Sequence, residues 1–345
     1  MSVPNWIGDV VMATPALAAL RRRFAGDRIV HLMRPYVSEV LRGCDLADAE
    51  IFWPQKAANG DPRQTRGTMD LIRRLRAEHF DLAVLLTNSF RSAAIVRMAG
   101  IGRRAGYARD GRGWLLNETL VPPREKGQYV PIPALDYYNA LARRVGCDDV
   151  GLEMRLAASA EEDAGIISRL GDLADRRPLV ALNPGANYGS AKCWPAEKYA
   201  ALSDRLVREC GATVVASLSP KEREIGDRLA AAAKEPVRIF VDLGIGLLRA
   251  LVKRCDLLVT NDTGPRHFAP AFGVPVVTVF GSSDPAWTIT RFEKERIVKL
   301  DLDCQPCMER TCPLKHHACM RDLTVDRVFD AARSALAEAS VAPRS

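Results

Sequence analysis

The stretch NDTGPRH, residues 261–267, places an acid, a hydroxyl, a glycine, an arginine and a histidine close together. It lies between two apolar runs that are typical of buried strands. If a helix begins here, the free backbone amides of Thr263 and Gly264 would suit an anion such as phosphate. A simpler interpretation also fits, in which Asp262 or Thr263 only caps the helix and His267 packs against its neighbours.

A second group follows an earlier apolar run, in the stretch PGANYGSAK at residues 184–192. Gly185 and Gly189 belong to a loop of small residues, and Lys192 ends it. Such a loop offers amides to the oxygens of a diphosphate, and the lysine adds a mobile cation. The Walker pattern G-x-x-x-x-G-K-[ST] is absent. Taken alone, the stretch fits both a phosphate site and an ordinary connecting loop.

Asp9 is a third candidate, because it follows Gly8 at the start of a predicted helix in PNWIGDVV. Its carboxylate could cap that helix, or it could act as a general base. Spacing alone does not choose between the two. The chain has no G-x-G-x-x-G after a strand, which counts against a dehydrogenase. It also lacks G-x-S-x-G, H-E-x-x-H and the kinase signatures.

Four of the nine cysteines cluster near the end of the chain with the spacing C-x2-C-x4-C-x6-C. They are Cys304, Cys307, Cys312 and Cys319, within a Cys-rich segment at residues 304–319. Four thiols at this spacing could hold zinc or ligate an iron–sulfur cluster. Redox or disulfide chemistry and plain free thiols are the alternatives. We assign no metal ligands from the sequence.

The elements that must position these residues alternate between strand and helix patterns, which predicts parallel sheets covered by helices. Strands are predicted in the first half at 28–33 and 81–88, and in the second half at 178–184, 212–218, 237–243, 256–261 and 274–281. Ligands of such sheets bind beyond the carboxyl ends of the strands. We therefore predict an α/β protein with doubly wound domains at 1–165 and 175–330 and a C-terminal helix or tail at 331–345.

The bulk composition is that of a soluble globular chain, with 345 residues, 48% hydrophobic and 26% charged. No apolar run reaches the length of a membrane span, and the N-terminus lacks the basic start of a signal peptide. A cytoplasmic protein is predicted. The net charge of +7 favours an anionic partner. Nucleic acid is disfavoured, because the basic residues are scattered and no nucleic-acid motif is present.

Together, the stretches PNWIGDVVMATPAL, PGANYGSAKCWP and VTNDTGPRHFAPAFGVPVVTVFG resemble the lipopolysaccharide heptosyltransferase family, glycosyltransferase family 9. The likeness covers nearly the whole chain and is greatest to members that add the second heptose of the inner core. It implies the GT-B fold, in which two Rossmann-like domains face each other across a cleft. It also implies an inverting transfer of L-glycero-D-manno-heptose from ADP-heptose to a lipid-linked core oligosaccharide, with no cofactor.

The resemblance also implies roles for individual residues. Asp9 matches the general base that takes the proton of the acceptor hydroxyl. Lys192 matches the lysine that binds the donor phosphates. Glu222 matches an acid that contacts the ribose, although Glu224 is a close competitor. The other positions implied to bind the donor are Asn187, Tyr188, Asp262, Thr263, Gly264 and His267.

Two features depart from the family pattern. Members usually begin with a short apolar strand before the PNWIGD turn, whereas here only Met1, Ser2 and Val3 precede Pro4. The central strand of the first sheet is therefore expected to be missing, through truncation or a misassigned start. Cys193 stands where an arginine is common, which removes a cation beside Lys192.

Two alternatives to heptose transfer remain open at this point. One is a related GT-B transferase that uses another nucleotide sugar, because a phosphate site does not identify the sugar. The other is a non-catalytic nucleotide-sugar-binding protein. For the transferase, the acceptor is expected to be anionic and lipid-linked. The protein would then make peripheral contact with the inner face of the inner membrane.

Overall fold

The computed structural model describes residues 1–55 and 60–341. Its contacts divide the chain into two compact units. The first unit comprises Met1–Ala157 with Ala286–Thr290, and the second comprises Ala158–Pro285 and the chain from Arg291 onward. No helix among the described residues is both long enough and apolar enough to cross a bilayer.

The first unit alternates helices and short strands. Its helices are α1 (Ile7–Met12), α2 (Thr14–Arg23), α3 (Pro35–Leu41), α4 (Thr68–Ala77), α5 (Phe90–Met98) and α6 (Ala134–Arg144). Its strands are β1 (Val30–Met33), β2 (Ala49–Phe52), β3 (Leu82–Leu85), β4 (Arg103–Tyr107), β5 (Glu118–Leu120), β6 (Arg124–Glu125) and β7 (Gln128–Tyr129). β1 pairs with β2, and β3 with β4 and β5, all in parallel, whereas β6 and β7 form a small antiparallel hairpin.

The first three residues lie between β1 and β3, in the central place of this sheet. Ser2 bridges Leu32 of β1 and Leu85 of β3, in parallel to both. Its amide donates to the carbonyl of Val84 at 2.8 Å, and the Met1 carbonyl accepts from the Leu32 amide at 2.7 Å. Residues Met1, Ser2 and Val3 thus occupy the position of the strand that was expected to be missing, and they join the two halves of the sheet.

A cavity of about 340 Å³ continues the line of these residues upstream of Met1. Its lining includes Ile29, Val30, Leu82 and Ala83 from the flanking strands. The Met1 ammonium donates to the Val30 carbonyl at 2.6 Å. Burial lowers the pKa of this ammonium to about 5. The cavity therefore has the position of a slot for an extended segment between two parallel strands, with charged side chains such as Arg28 and Glu78 also in its lining.

We expect four apolar residues, such as Val-Leu-Ile-Val, joined before Met1 to raise the free energy of unfolding by about 2–4 kcal/mol. The added strand would fill the slot and remove the buried ammonium. Urea denaturation measures the change. A Gly-Ser-Gly-Ser extension is the matched control, because it moves the ammonium without supplying apolar side chains. Equal effects of the two extensions would show that the cavity does not select an apolar strand.

The second unit has one parallel sheet in the order β10-β9-β8-β11-β12-β13. The strands are β8 (Leu179–Asn183), β9 (Thr213–Ser217), β10 (Val237–Phe240), β11 (Leu257–Asn261), β12 (Val276–Val279) and β13 (Glu295–Val298). The helices are α7 (Ala160–Leu170), α8 (Ala196–Cys210), α9 (Arg223–Ala232), α10 (Gly244–Arg254), α11 (Phe268–Ala271), α12 (Ala318–Arg321) and α13 (Val325–Val341). The strand order reverses between β8 and β11, which makes a topological switch point at their carboxyl ends.

Both ends of the second unit differ from the predicted domain limits. The sequence places residues up to 165 in the first domain, but α7 belongs to the second unit. There, Glu162 forms an ion pair of 2.7 Å with the buried Arg249 of α10. The predicted C-terminal helix is present as the later part of α13, up to residue 341, and it packs on the second unit. Helix α13 buries Phe329 and Ala332 in the same core as Trp194 of the second unit.

Candidate functional site

The two predicted polar stretches of the second unit lie side by side at the switch point. β8 and β11 are neighbours, with Asn183 opposite Thr260 in the register. The loop at 184–192 leaves β8, and the NDTG turn leaves β11, at the same edge of the sheet. The Asn183 amide group donates to the Thr260 hydroxyl at 3.1 Å. The structure thus brings together the residues on which the predicted phosphate site depends.

Asn261 fastens the loop to β11, and sequence reasoning missed this role. Its side-chain amide donates to the Pro184 carbonyl at 2.7 Å. Its side-chain oxygen accepts from the Trp194 amide at 3.2 Å and from the Tyr199 hydroxyl at 3.0 Å. All of these groups are buried, so each bond satisfies a polar atom that would otherwise be costly. The fully buried Asn261 side chain, at the end of β11, therefore holds the loop both at Pro184 and at Trp194.

Lys192 and Asp262 form the ionic centre of the site. The Lys192 ammonium lies 2.5 Å from Asp262 Oδ2, and both side chains are largely buried. Asp262 Oδ2 also accepts from the Ser283 hydroxyl at 2.6 Å. Burial by itself would raise the pKa of Asp262, but the charges of Lys192 and Arg266 outweigh burial and lower it to about 2. Asp262 is therefore ionised throughout the physiological range and holds Lys192 at the end of the loop.

A second, fully buried ion pair lies behind Asp262. Arg266 donates from Nη1 to Asp262 Oδ1 at 3.1 Å and from Nε to Glu295 Oε1 at 2.6 Å. Thr278 donates to the same Glu295 oxygen at 2.7 Å. The result is a chain of alternating charge, Lys192–Asp262–Arg266–Glu295, that is neutral as a whole. Neutrality and bidentate geometry make this arrangement tolerable at low exposure. The sequence analysis identified neither Arg266 nor Glu295 as part of the site.

The turn after β11 does not start a regular α-helix, contrary to the sequence prediction. Residues Gly264–His267 form a 3-10 turn, and α11 is only four residues long. Pro265 and Pro270 explain this, because proline donates no backbone hydrogen bond. The macrodipole of so short an element is small and adds little to anion binding at Thr263 and Gly264. Binding of the donor by their backbone amides stays a prediction. The positive charge of Lys192 does not depend on this helix and is still available to bind an anion.

His267 is buried beneath the turn, and its contact with the donor stays a prediction. Its side chain is 3% exposed. Burial, reinforced by the neighbouring Arg266, lowers its pKa to about 3, so the imidazole is neutral. Within the described residues, its Nδ1 has no hydrogen-bond partner. In this structure His267 packs beneath the turn, as the simpler interpretation of the sequence predicts.

The loop between β8 and α8 carries Asn187 and Tyr188 towards solvent. Asn187 is exposed in the turn, and the Tyr188 ring centre lies 4.8 Å from the Lys192 ammonium. The Tyr188 hydroxyl donates to the Met308 carbonyl at 2.8 Å. A Cβ on Gly189 would lie 2.2 Å from the carbonyl oxygen of Arg310. Glycine is therefore required where the Cys-rich segment meets the loop.

The structure favours Glu222 over Glu224 as the acid beside the loop. Glu222 ends a 3-10 turn and accepts from the Ser219 amide at 2.9 Å. A Cβ on Gly185 would lie 2.3 Å from a Glu222 oxygen, so the carboxylate lies directly against the loop. Glu224 is exposed in α9.

Burial, and then the charge of Glu222, raise the pKa of the Cys193 thiol to about 11. Cys193 is therefore neutral beside Lys192.

Asp9 belongs to the first unit, as the third residue of α1. Its Oδ1 accepts from the Tyr138 hydroxyl at 3.1 Å. Burial raises the pKa of Asp9 to about 6, although the bond from Tyr138 acts in the opposite direction. A carboxylate with this pKa can accept a proton near neutral pH, as a general base requires.

The four clustered cysteines are close in space as well as in sequence. Burial raises the pKa of Cys319, and the thiols of Cys307, Cys304 and Cys312 raise it further. Among the described side chains, no three His, Cys, Asp or Glu residues are arranged to hold a metal ion. The segment touches the loop directly, because the Ala191 amide donates to the Arg310 carbonyl at 3.1 Å.

Comparison with known proteins agrees with this architecture. The family model described as glycosyltransferase family 9 (heptosyltransferase) matches residues 68–318. Lipopolysaccharide heptosyltransferase 2 of Salmonella typhimurium is 28% identical to this chain, over 98% of each protein. The solved structure of E. coli ADP-heptose lps heptosyltransferase II is 25% identical, with a TM-score of 0.79 over 98% of both chains. These matches confirm the resemblance and the predicted α/β fold class, GT-B.

A solved structure of E. coli heptosyltransferase WaaC contains ADP-2-deoxy-2-fluoro heptose. It is similar to this chain in fold, with a TM-score of 0.66 over 97% of this chain and 99% of that one, at 18% identity.

Proposed function

The chain belongs to glycosyltransferase family 9, the heptosyltransferases, and on this premise we propose that it moves L-glycero-D-manno-heptose from ADP-heptose to a lipopolysaccharide inner-core acceptor. The chain is a glycosyltransferase by family membership, and its curated relatives are named as heptosyltransferases. The observation that carries the proposal is the position of Lys192. Its cation ends a glycine-bearing loop at the switch point of a parallel sheet, where such folds bind nucleotides.

In the proposed reaction, the acceptor hydroxyl attacks the anomeric carbon of the heptose and the bond from that carbon to the phosphate oxygen breaks. The configuration inverts, and ADP leaves with the bonding electrons. Asp9 takes the proton of the acceptor hydroxyl. Lys192 compensates the charge that grows on the departing diphosphate. Asp262 keeps its bonds from Arg266 and Ser283, so it can release Lys192 to the phosphates without being left unpaired.

We further propose that charge compensation comes from side chains and that the reaction needs no cofactor or metal. Lys192 supplies the cation, and Asp262, which Arg266 holds from behind, positions that cation at the end of the loop before the donor binds. Titration with EDTA tests this point. Retention of full ADP release after removal of divalent ions supports it, whereas a loss restored by Mg²⁺ contradicts it.

Substrate identity is tested by following ADP release from ADP-heptose with a purified heptose-bearing core lipid. The chain should release ADP only when both substrates are present. ADP-glucose and ADP-mannose are matched donors that keep the diphosphate and change the sugar. Faster release from one of these would favour the alternative of a transferase for another nucleotide sugar. Tight ADP binding without release from any donor would favour a binding protein.

The raised pKa of Asp9 predicts the pH dependence of both rate and stability. We expect kcat/KM to fall about tenfold per pH unit below about pH 6, because the base is then protonated. In the folded state, Asp9 keeps its proton to a higher pH than the unfolded value of 3.8. Stability therefore decreases as pH rises through that window, and ionised Asp9 costs about 3 kcal/mol above it.

Asp9→Asn separates these effects. It should lower kcat by about 100-fold or more, while raising the free energy of unfolding at pH 8 relative to the parent. The gain should vanish towards pH 4. Rates from ADP release and urea denaturation at pH 4 to 8 supply the measurement. A variant that is no more stable than the parent at pH 8 would show that burial of ionised Asp9 does not destabilise the fold.

Peripheral contact with the inner face of the inner membrane, from the cytoplasm, completes the proposal. An acceptor of this class carries both phosphate charge and lipid chains. A basic chain with a net charge of +7 suits such a substrate. Co-sedimentation with anionic vesicles tests the contact.

A further inference from the structure

Three apolar side chains of the first unit are exposed close to one another. Phe90 is 49% exposed, Trp114 66% and Val121 78%. The rings of Phe90 and Trp114 are 6.2 Å apart, centre to centre. Trp114 and Val121 line one shallow cavity with Pro122 and Pro123. We call Phe90, Trp114 and Val121 the aromatic patch. Large apolar side chains grouped in this way mark a surface that contacts something.

Basic side chains border the aromatic patch. The Arg97 guanidinium lies 5.7 Å from the Trp114 ring centre. Arg124 lines the same cavity as Trp114, and its guanidinium stacks on Tyr129 at 4.2 Å. Arg109 stacks on the same ring, also at 4.2 Å, and pairs with Asp110.

The short β6–β7 hairpin adds an exposed Lys126 beside Glu125. The border thus holds four basic groups, Arg97, Arg109, Arg124 and Lys126, against the two acids Asp110 and Glu125. The net charge of this border is therefore positive.

We propose that this surface docks the protein on an anionic lipid bilayer. Tryptophan has an apolar body and a polar edge, and it prefers the level of lipid headgroups. Arginines beside it can pair with lipid phosphates while their stems remain against the aromatic rings. A membrane fits the combination better than a protein partner does, because the apolar group is small and its border carries an excess of one charge sign.

This inference rests on the proposed function in one respect, namely that the acceptor is lipid-linked. Docking of the first unit would keep the enzyme at the surface where that acceptor lies. It would raise the local acceptor concentration without contributing to the chemistry at Lys192. Loss of docking should therefore change the rate with a membrane-bound acceptor and leave the rate with a dispersed acceptor unaltered.

The test uses the full chain and vesicles of phosphatidylglycerol with phosphatidylethanolamine, compared with vesicles of phosphatidylcholine. We expect binding to the anionic vesicles and little to the zwitterionic ones. Trp114→Ser combined with Val121→Ser should weaken anionic binding about tenfold or more. Arg97→Gln combined with Arg124→Gln should weaken it similarly and reduce its salt dependence. Leu314→Ser is the matched control, because Leu314 is 58% exposed in the second unit.

Unchanged vesicle binding in both double variants would overturn the assignment. So would equal weakening by Leu314→Ser. A loss of self-association on gel filtration, with vesicle binding intact, would identify the aromatic patch as a protein interface and also overturn it. ADP release with a detergent-dispersed acceptor serves as the independent readout. If the parent binds vesicles through the patch but releases no ADP, the docking surface stands and the proposed function fails.

Discussion

Lys192→Met is expected to lower kcat/KM for heptose transfer by about 100- to 1000-fold. Methionine keeps an unbranched side chain against Tyr188 but removes the positive charge of the ammonium at the end of the loop. Charge on the departing diphosphate would then lose the cation that the loop itself supplies. The loss should affect kcat as well as the affinity for ADP, because the charge grows as the glycosidic bond to phosphate breaks.

The fold should survive this change. Asp262 retains the buried Arg266 at 3.1 Å and the Ser283 hydroxyl at 2.6 Å. Initial rates of ADP release and calorimetric titration with ADP separate the two effects, and thermal unfolding reports integrity. Lys192→Arg tests whether any cation suffices, and Lys234→Met controls for the loss of one exposed charge in the same unit. A folded Lys192→Met enzyme within about threefold of the parent rate would contradict the assigned role.

The strands and the two loops of the site could be predicted because local patterns carry that information. The apolar runs that became β8 and β11 are short and bounded by polar residues, and parallel strands end at a common edge. From that alone, the stretch ending in Lys192 and the turn containing Asp262 are predicted at the same edge of the sheet, and the pairing of β8 with β11 in the structure makes them neighbours. The structure adds the distance of 2.5 Å between their charges.

Other parts of the site depend on contacts between distant residues, which local patterns do not encode. Glu295 begins β13, a strand that the sequence analysis did not identify, and it meets Arg266 only because β13 pairs with β12. The contact of Arg310 with Gly189 has the same character. The sequence places Gly189 in a loop of small residues, but the partner of that glycine could not be predicted from it.

One wrong prediction, the helix after β11, can be explained from the sequence itself. The turn after β11 was predicted to start a helix that binds anions, yet Pro265 and Pro270 are plain in the sequence. Prolines five residues apart limit the hydrogen bonds that a helix can form. The resulting 3-10 turn places Arg266 inward, and the inward arginine is what fixes Asp262. The prolines therefore prevent a long helix, and the turn that forms instead places Arg266 in a buried ion pair with Asp262.

Arg266→Met should lower the free energy of unfolding by about 3–5 kcal/mol at pH 8. The guanidinium is fully buried, and it is bonded to both Asp262 and Glu295. Without it, two buried carboxylates share the single cation of Lys192. Glu295 would keep only its hydroxyl bond from Thr278 among the contacts described above. An unpaired buried charge costs far more than an intact pair contributes.

The pH dependence gives the deficit a signature. In the parent, burial tends to raise the pKa of Glu295, but Arg266 outweighs it and the pKa is lowered. Removing Arg266 leaves burial to raise that pKa above the ordinary value. A carboxyl whose pKa is raised on folding is penalised only while ionised, so the deficit should be largest at pH 8 and shrink towards pH 5. A cavity left by a lost side chain would cost the same at both.

The double variant Arg266→Met with Glu295→Gln tests whether the unpaired carboxylate causes the deficit. Because it removes one charge of each sign, it should recover a large part of the loss at pH 8. Arg296→Met is the matched control, because Arg296 follows Glu295 in β13 and pairs with Glu338 at the surface. Its loss should lower the free energy of unfolding by less than about 1 kcal/mol. Urea denaturation at both pH values measures all four proteins. A pH-independent deficit, unrelieved in the double variant, would mean that Arg266 stabilises the turn by packing alone. In that case, the charge chain would not be what holds Asp262 and Lys192 in place.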